Sequence, residues 1–238
     1  MKASEAGAGA AARWLLIGNS RWHFARPVLA TLQCWSESPP FSGGGDAPSG
    51  ERLRHLWGWA AVGPIPPDCG LDPCRRLSLA QVPLGQLPPW IGIDRALVGW
   101  QAWHDSRSAV LVADAGTALS FTLVDARGRF AGGRIQAGLA LQLRALAGGT
   151  AGLPAVAGDG GAPMAWPRAT AEAMAVGVRE GLVAAVREAW QQARHAYPDC
   201  RLWITGGDGG WIAERLQQTH APCLALAALA RLSPVPGR

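Results

Sequence analysis

The sequence predicts an α/β chain built as two similar lobes. A length of 238 residues suits one large α/β domain or two small lobes. Short apolar runs bounded by Gly, Pro or Asp alternate with stretches of helical period. Residues 15–24 and 112–123 also share a plan: an apolar strand, a glycine with a small polar neighbour, then a second strand. With 49% hydrophobic residues, the chain can bury a sizeable core.

Taken in order, Trp14, Leu15, Leu16 and Ile17 read as a buried strand, and Gly18, Asn19 and Ser20 as a turn. Residues 21–24 and 31–35 read as the next two strands. Residues 39–50, with three consecutive glycines, form a loop. Residues 53–59 fit either class, and 60–65 read as a strand. Prolines crowd 66–89, where short strands and connectors are expected. Ala96, Leu97, Trp100 and Trp103 set a helix over 94–104. Strands follow over 108–113, 119–124 and 129–135, with a turn at 125–128. A short helix is expected over 139–146, a Gly- and Pro-rich loop over 148–167, and a long helix of strong helix formers over 170–197. A strand over 201–205, a turn at Gly206, Gly207 and Asp208, a helix over 211–219 and a last strand over 223–227 close the pattern. Residues 1–12 are expected to be a disordered lead, 13–91 an N-terminal lobe and 92–238 a C-terminal lobe.

Composition narrows the function. No apolar run approaches the roughly 20 residues that span a bilayer. Residues 1–12 lack the basic-then-apolar order of a signal peptide. A cytoplasmic protein with no membrane partner is therefore expected. The five cysteines (Cys34, Cys69, Cys74, Cys200 and Cys223) are irregularly spaced and read as reduced thiols. Cys69 and Cys74 have no second Cys/His pair to complete a zinc site. The net charge is +5, but the arginines are scattered, so nucleic acid is not an expected partner. The twelve tryptophans are spread along the chain and are expected to pack in cores or interfaces.

Four constellations carry chemistry. Glycine lets backbone approach a phosphate closely, and successive turn N–H groups make a concave anion site. Gly18-Asn19-Ser20 and Gly116-Thr117 both have this character, and each is equally an ordinary hairpin turn. Asp114, at the end of a strand, could hold a cation beside a phosphate or make a turn hydrogen bond. Asp94, opening a helix after Gly92 and Ile93, fits an N-cap or a general base, with Arg95 beside it to bind an anion. Thr205-Gly206-Gly207-Asp208 fits a β–α turn or a surface for a nucleotide, and Thr170 fits an N-cap. There is no G-x-x-x-x-G-K-[ST] motif.

In this order and spacing, Gly18-Asn19-Ser20, Gly92-Ile93-Asp94-Arg95, Asp114-Ala115-Gly116-Thr117, Gly132-Gly133-x-Ile135-x-x-Gly138, Leu153-Pro154, Thr170-x-x-Ala173-Met174-x-x-Gly177 and Thr205-Gly206-Gly207-Asp208 resemble a type III pantothenate kinase, and particularly its cyanobacterial members. The resemblance covers most of the chain. It implies a ribonuclease-H-like, actin-like ATPase fold of two similar lobes with mixed sheets flanked by helices, one kinase unit over 13–230, acting as a homodimer. It implies ATP-dependent phosphorylation of pantothenate to 4′-phosphopantothenate, the first step of coenzyme A synthesis, with Mg²⁺ and a monovalent cation, K⁺ or NH₄⁺. Asp94 matches the proton acceptor. Gly92, Ile93, Arg95 and Thr170 match pantothenate contacts. Leu16, Ile17, Gly18, Asn19, Ser20, Arg21, Trp22, His23 and Thr117 match ATP-binding positions, and Asp114 matches the monovalent-cation ligand. One departure stands out: the family's first motif usually reads Asp-x-Gly-Asn-Thr, and Leu16 occupies the place of that Asp. It keeps open a catalytically silent, regulatory member of the same fold. A kinase for another small hydroxylated acceptor is the other alternative.

Overall fold

The computed structural model describes residues 12–39, 53, 55–66, 69–157 and 165–233. The chain divides into two compact units. One takes the described residues up to Pro83, Pro89–Leu97 and those from Ala225; the other takes Leu84–Pro88 and Val98–Leu224. The expected lead over 1–12 and loop over 39–50 lie almost wholly outside the described residues.

The first unit holds strands β1 (Trp14–Ile17), β2 (Trp22–Val28), β3 (Thr31–Glu37) and β4 (Gly58–Ala61). They pair in the order β3-β2-β1-β4, antiparallel except for the parallel β1–β4 pair. All four residues of β1 are buried because both faces of the strand are covered. Leu15 and Ile17 join Trp22, Phe24, Leu56 and Trp59 in one hydrophobic cluster. Trp14 and Leu16 point to the opposite face, as strand alternation requires.

The second unit repeats the plan with β5 (Val110–Ala115), β6 (Ala118–Val124), β7 (Phe130–Ala137) and β8 (Arg201–Thr205) in the order β7-β6-β5-β8. Again only the β5–β8 pair is parallel. The helices are α1 (Ile93–Ser106), α2 (Leu139–Gly149), α3 (Thr170–Ala196), α4 (Gly209–Leu216) and α5 (Leu224–Leu232). In the second unit's core, α3 contributes Met174, Val178, Leu182, Val186, Ala189 and Ala193. That three-to-four spacing is the apolar stripe of a helix lying on a sheet. The result is one α/β plan of a mixed sheet with helices, used twice, as expected. Among the described residues, no helix is long and apolar enough to cross a membrane.

Several expectations need correction. The run over 223–227 is not a strand but the start of α5. Leu and Ala alternate there with a strand-like period, yet both are strong helix formers, and the run continues as Leu-Ala-Ala-Leu-Ala-Arg-Leu. The strand placed at 60–65 is β4, two residues earlier; beyond it Val62 and Gly63 both turn their N–H groups to Ile17 O, at 2.8 and 3.3 Å. Among the described residues of 66–89 the named elements are two 3₁₀ turns, Pro73–Arg75 and Leu79–Gln81, not strands; proline supplies no donor to a ladder. Cys69, Cys74 and Cys200 are free thiols, whereas the reading of Cys34 and Cys223 as reduced does not hold. Trp14, Trp22, Trp59 and Trp100 are core residues, but Trp90 and Trp166 are 83% and 88% exposed.

The β6–β7 turn is held by one buried carboxylate. Asp125 accepts from the backbone N–H groups of Arg127 and Arg129, at 2.9 and 3.0 Å, and from Arg129 Nε at 2.7 Å. Burial alone would raise this carboxyl, but those donors and the Arg129 charge outweigh it and hold it below its ordinary value. Asp125→Ala should cost about 2–3 kcal/mol in urea unfolding, because several donors lose a charged acceptor at once. A depressed folded-state pKa means this stabilisation is present above the unfolded value and is lost as pH falls through the folded one.

Candidate active site

Asp94 sits in the first turn of α1, two residues after Gly92. Its Oδ1 accepts the N–H of Arg95 at 2.8 Å. The carboxylate folds back over Gly92 so closely that a Cβ on Gly92 would lie 2.4 Å from Oδ1. A side chain at that position would displace the carboxylate. Burial pushes the Asp94 carboxyl above its ordinary value, and the Arg95 N–H and guanidinium partly oppose the rise. A carboxylate raised in this way is a better proton acceptor near neutral pH than an exposed one. Ile93 is buried and Arg95 half-buried at the same helix start.

The first turn lies in the same unit as Asp94. Gly18 N–H donates to Arg21 O at 2.9 Å and closes the turn between β1 and β2. Asn19, Ser20 and Arg21 are exposed. Leu16, Ile17 and Trp22 are 5%, 0% and 2% exposed, so the hydrophobic interior takes their side chains. His23 is half-buried on β2. Gly63, which sequence reasoning missed, packs on this turn: a Cβ there would meet Gly18 O at 2.4 Å. Its neighbour Val62 lies 3.8 Å from the corresponding position on Gly92. Val62 and Gly63 therefore link the Gly18 turn to the segment that carries Asp94. The only sequence signal was a Gly-Pro pair closing a strand.

In the second unit, Asp114 lies in β5, paired with Thr205 of β8. The turn Gly116-Thr117 follows, with Thr117 exposed. Gly206, at φ +88°, brings its α-carbon against this turn: a Cβ would meet Ala115 O at 2.2 Å and Asp114 Oδ1 at 2.5 Å. Ala115 O and Asp114 Oδ1 thus both lie close against the backbone of Gly206. Gly138 does the same from β7's end, where a Cβ would sit 2.0 Å from Gly116 O. The two units share a device: a glycine after the parallel strand abuts a carbonyl of the hairpin turn, Gly63 on Gly18 and Gly206 on Ala115. Thr170 is the first residue of α3 and is exposed; the N-cap position belongs to Ala169. Asp208 occupies the N-cap of α4 without a capping hydrogen bond from its side chain. Among the described residues, no three His, Cys, Asp or Glu side chains cluster to hold a metal ion.

A profile of the type III pantothenate kinase family matches residues 84–192. A type III pantothenate kinase from Synechococcus strain JA-3-3Ab is 39% identical, over 89% of this chain and 86% of its own. The chain belongs to the type III pantothenate kinase family. Another relative of that name, from Gloeobacter violaceus, is 33% identical over 92% of this chain and 98% of its own. The structure of a Baf family protein from Campylobacter jejuni superposes with a TM-score of 0.59 at 16% identity, over 92% of this chain and 96% of that one. At that identity the likeness supports the fold alone, and it agrees with the duplicated sheet plan. The pantothenate kinase profile spans both Asp94 and the Asp114 turn, but begins well after Leu16.

Proposed function

We propose that the chain transfers the γ-phosphoryl group of ATP to the primary hydroxyl of pantothenate. The observation that carries this is Asp94: a half-buried carboxylate, raised by burial, seated over Gly92 at a helix start. Such a group accepts the hydroxyl proton as the phosphorus–oxygen bond forms. Gly92, Ile93, Arg95 and Thr170 contact pantothenate. Arg95 sits next to the base and offers a fork suited to the substrate carboxylate. Residues 16–23 and Thr117 contact the ATP phosphates through turn N–H groups and hydroxyls. A monovalent cation, K⁺ or NH₄⁺, is held at Asp114 and supplies positive charge beside a phosphate. Mg²⁺ fits less well at the first turn, since no carboxylate occurs from Leu16 to His23; it enters bound to ATP. The working form is a cytoplasmic homodimer.

An assay of ATP consumption with pantothenate, with and without K⁺ or NH₄⁺, tests the reading. Turnover is expected only with pantothenate present and is stimulated by the cation. A second reading rests on the apolar Leu16: a regulatory member that binds nucleotide without transferring phosphate. ATP binding with no phosphorylated pantothenate under any cation would select it.

A further inference from the structure

The place of the missing acid has a neighbour able to take over its task. Leu16 is buried and apolar and cannot hold a metal ion. Directly opposite it in the antiparallel β1–β2 register is His23. Directly opposite His23 on β3 is Ser36. Partners of this kind lie on the same face of a sheet, so Leu16, His23 and Ser36 form one row across three strands. His23 Nδ1 lies 2.7 Å from Ser36 Oγ. The other ring nitrogen faces the turn: a Cβ on Gly18 would be 3.4 Å from Nε2. Ser36 thus fixes the ring so that its free edge meets the backbone of the phosphate turn.

Resting on the kinase reading above, we propose that His23 binds an ATP phosphate oxygen directly through Nε2–H, replacing at this turn the contact that a carboxylate-held metal ion would make. Burial, and then the charge of Arg21, lower the His23 pKa, which favours the neutral ring. A neutral imidazole that accepts the Ser36 hydroxyl at Nδ1 carries its proton on Nε2. The facing groups agree. The turn contributes Arg21, β3 contributes the Ser36 hydroxyl, and β1 contributes no ionisable side chain. A turn with Arg21 and an imidazole but no carboxylate attracts an anion without an intervening cation. A carboxylate would need that cation, since it would otherwise repel the phosphate.

The test is ATP binding to the full chain, with Mg²⁺ and again in EDTA, for wild type, His23→Phe, His23→Gln and Ser36→Ala. Thermal melting confirms folding, and pantothenate phosphorylation by the wild type is followed in parallel. Wild type is expected to bind ATP in EDTA within about threefold of its affinity with Mg²⁺. His23→Phe keeps the ring shape but loses the donor, and should weaken binding roughly tenfold or more in both conditions. His23→Gln restores an N–H and should recover most of that loss. Ser36→Ala releases the tautomer and should weaken binding about threefold; it keeps the question answerable if His23→Phe does not fold. Wild-type affinity in a folded His23→Phe, alongside active wild-type enzyme, overturns the inference alone. So does loss of wild-type binding in EDTA, or a Gln variant no better than Phe. A wild type that binds no ATP at all overturns the kinase reading and this inference with it.

Discussion

Asp94→Asn is expected to lower kcat for pantothenate phosphorylation by about 10³-fold, within the roughly 10²–10⁴ that a general base contributes. The amide keeps the size of the carboxylate and its place over Gly92, so α1 should start as before. It cannot take the hydroxyl proton. The KM for ATP should change by less than about threefold, because the loss falls on the transition state rather than on nucleotide binding. The pH profile provides a second readout. Burial raises the Asp94 carboxyl, and only the unprotonated form can act as base. Activity should therefore fall as pH drops through a value above the ordinary carboxylate range, and the residual activity of the Asn variant should lack this limb. Wild-type-like turnover in Asp94→Asn would remove Asp94 from the role of base.

Gly138→Ala should damage the Gly116-Thr117 turn more than any single side-chain removal there. The added methyl would lie 2.0 Å from Gly116 O and 2.8 Å from Thr117 O. Both obstacles are backbone, so no rotamer change relieves the clash, and Gly138 N–H is already bonded to Thr117 O at 3.0 Å. The expected cost is about 2–4 kcal/mol, as for other overpacked sites, with the KM for ATP raised roughly tenfold or more. Gly181→Ala is the control. Gly181 lies within α3 with open space around its α-carbon, and alanine there should stabilise the helix by about 0.5–1 kcal/mol. Chemical denaturation and ATP titration of the pair separate steric damage from a general intolerance of alanine.

Much of this fold was legible because its strands are short apolar runs closed by glycine or aspartate. The hairpin around Gly116 and the long helix from Thr170 follow directly from such signals. The place of Asp94 in the first turn of a helix was legible too, although an acid there fits an N-cap as well as a base. What stayed hidden depended on distance in space. Gly63 was read inside a strand and Gly138 between a strand and a helix, and only the fold shows which carbonyl each abuts. The helix Leu224–Leu232 was misread because an alternating Leu-Ala run satisfies two periods at once. The link from Leu16 through His23 to Ser36 needs strand register, which neither composition nor motif spacing supplies.

That register has a consequence for how the gene can change. Trp22 and His23 are adjacent, one in the hydrophobic interior at 2% exposure and the other half-buried on the opposite face. Inserting or deleting one codon between Gly18 and Arg21 would slip β2 by one residue and exchange their faces. The indole would move to the face of Leu16 and Ser36 and the imidazole into the core. Substitutions at exposed Asn19 or Ser20 leave that phase intact. The length of this turn should therefore be under tighter constraint than its composition.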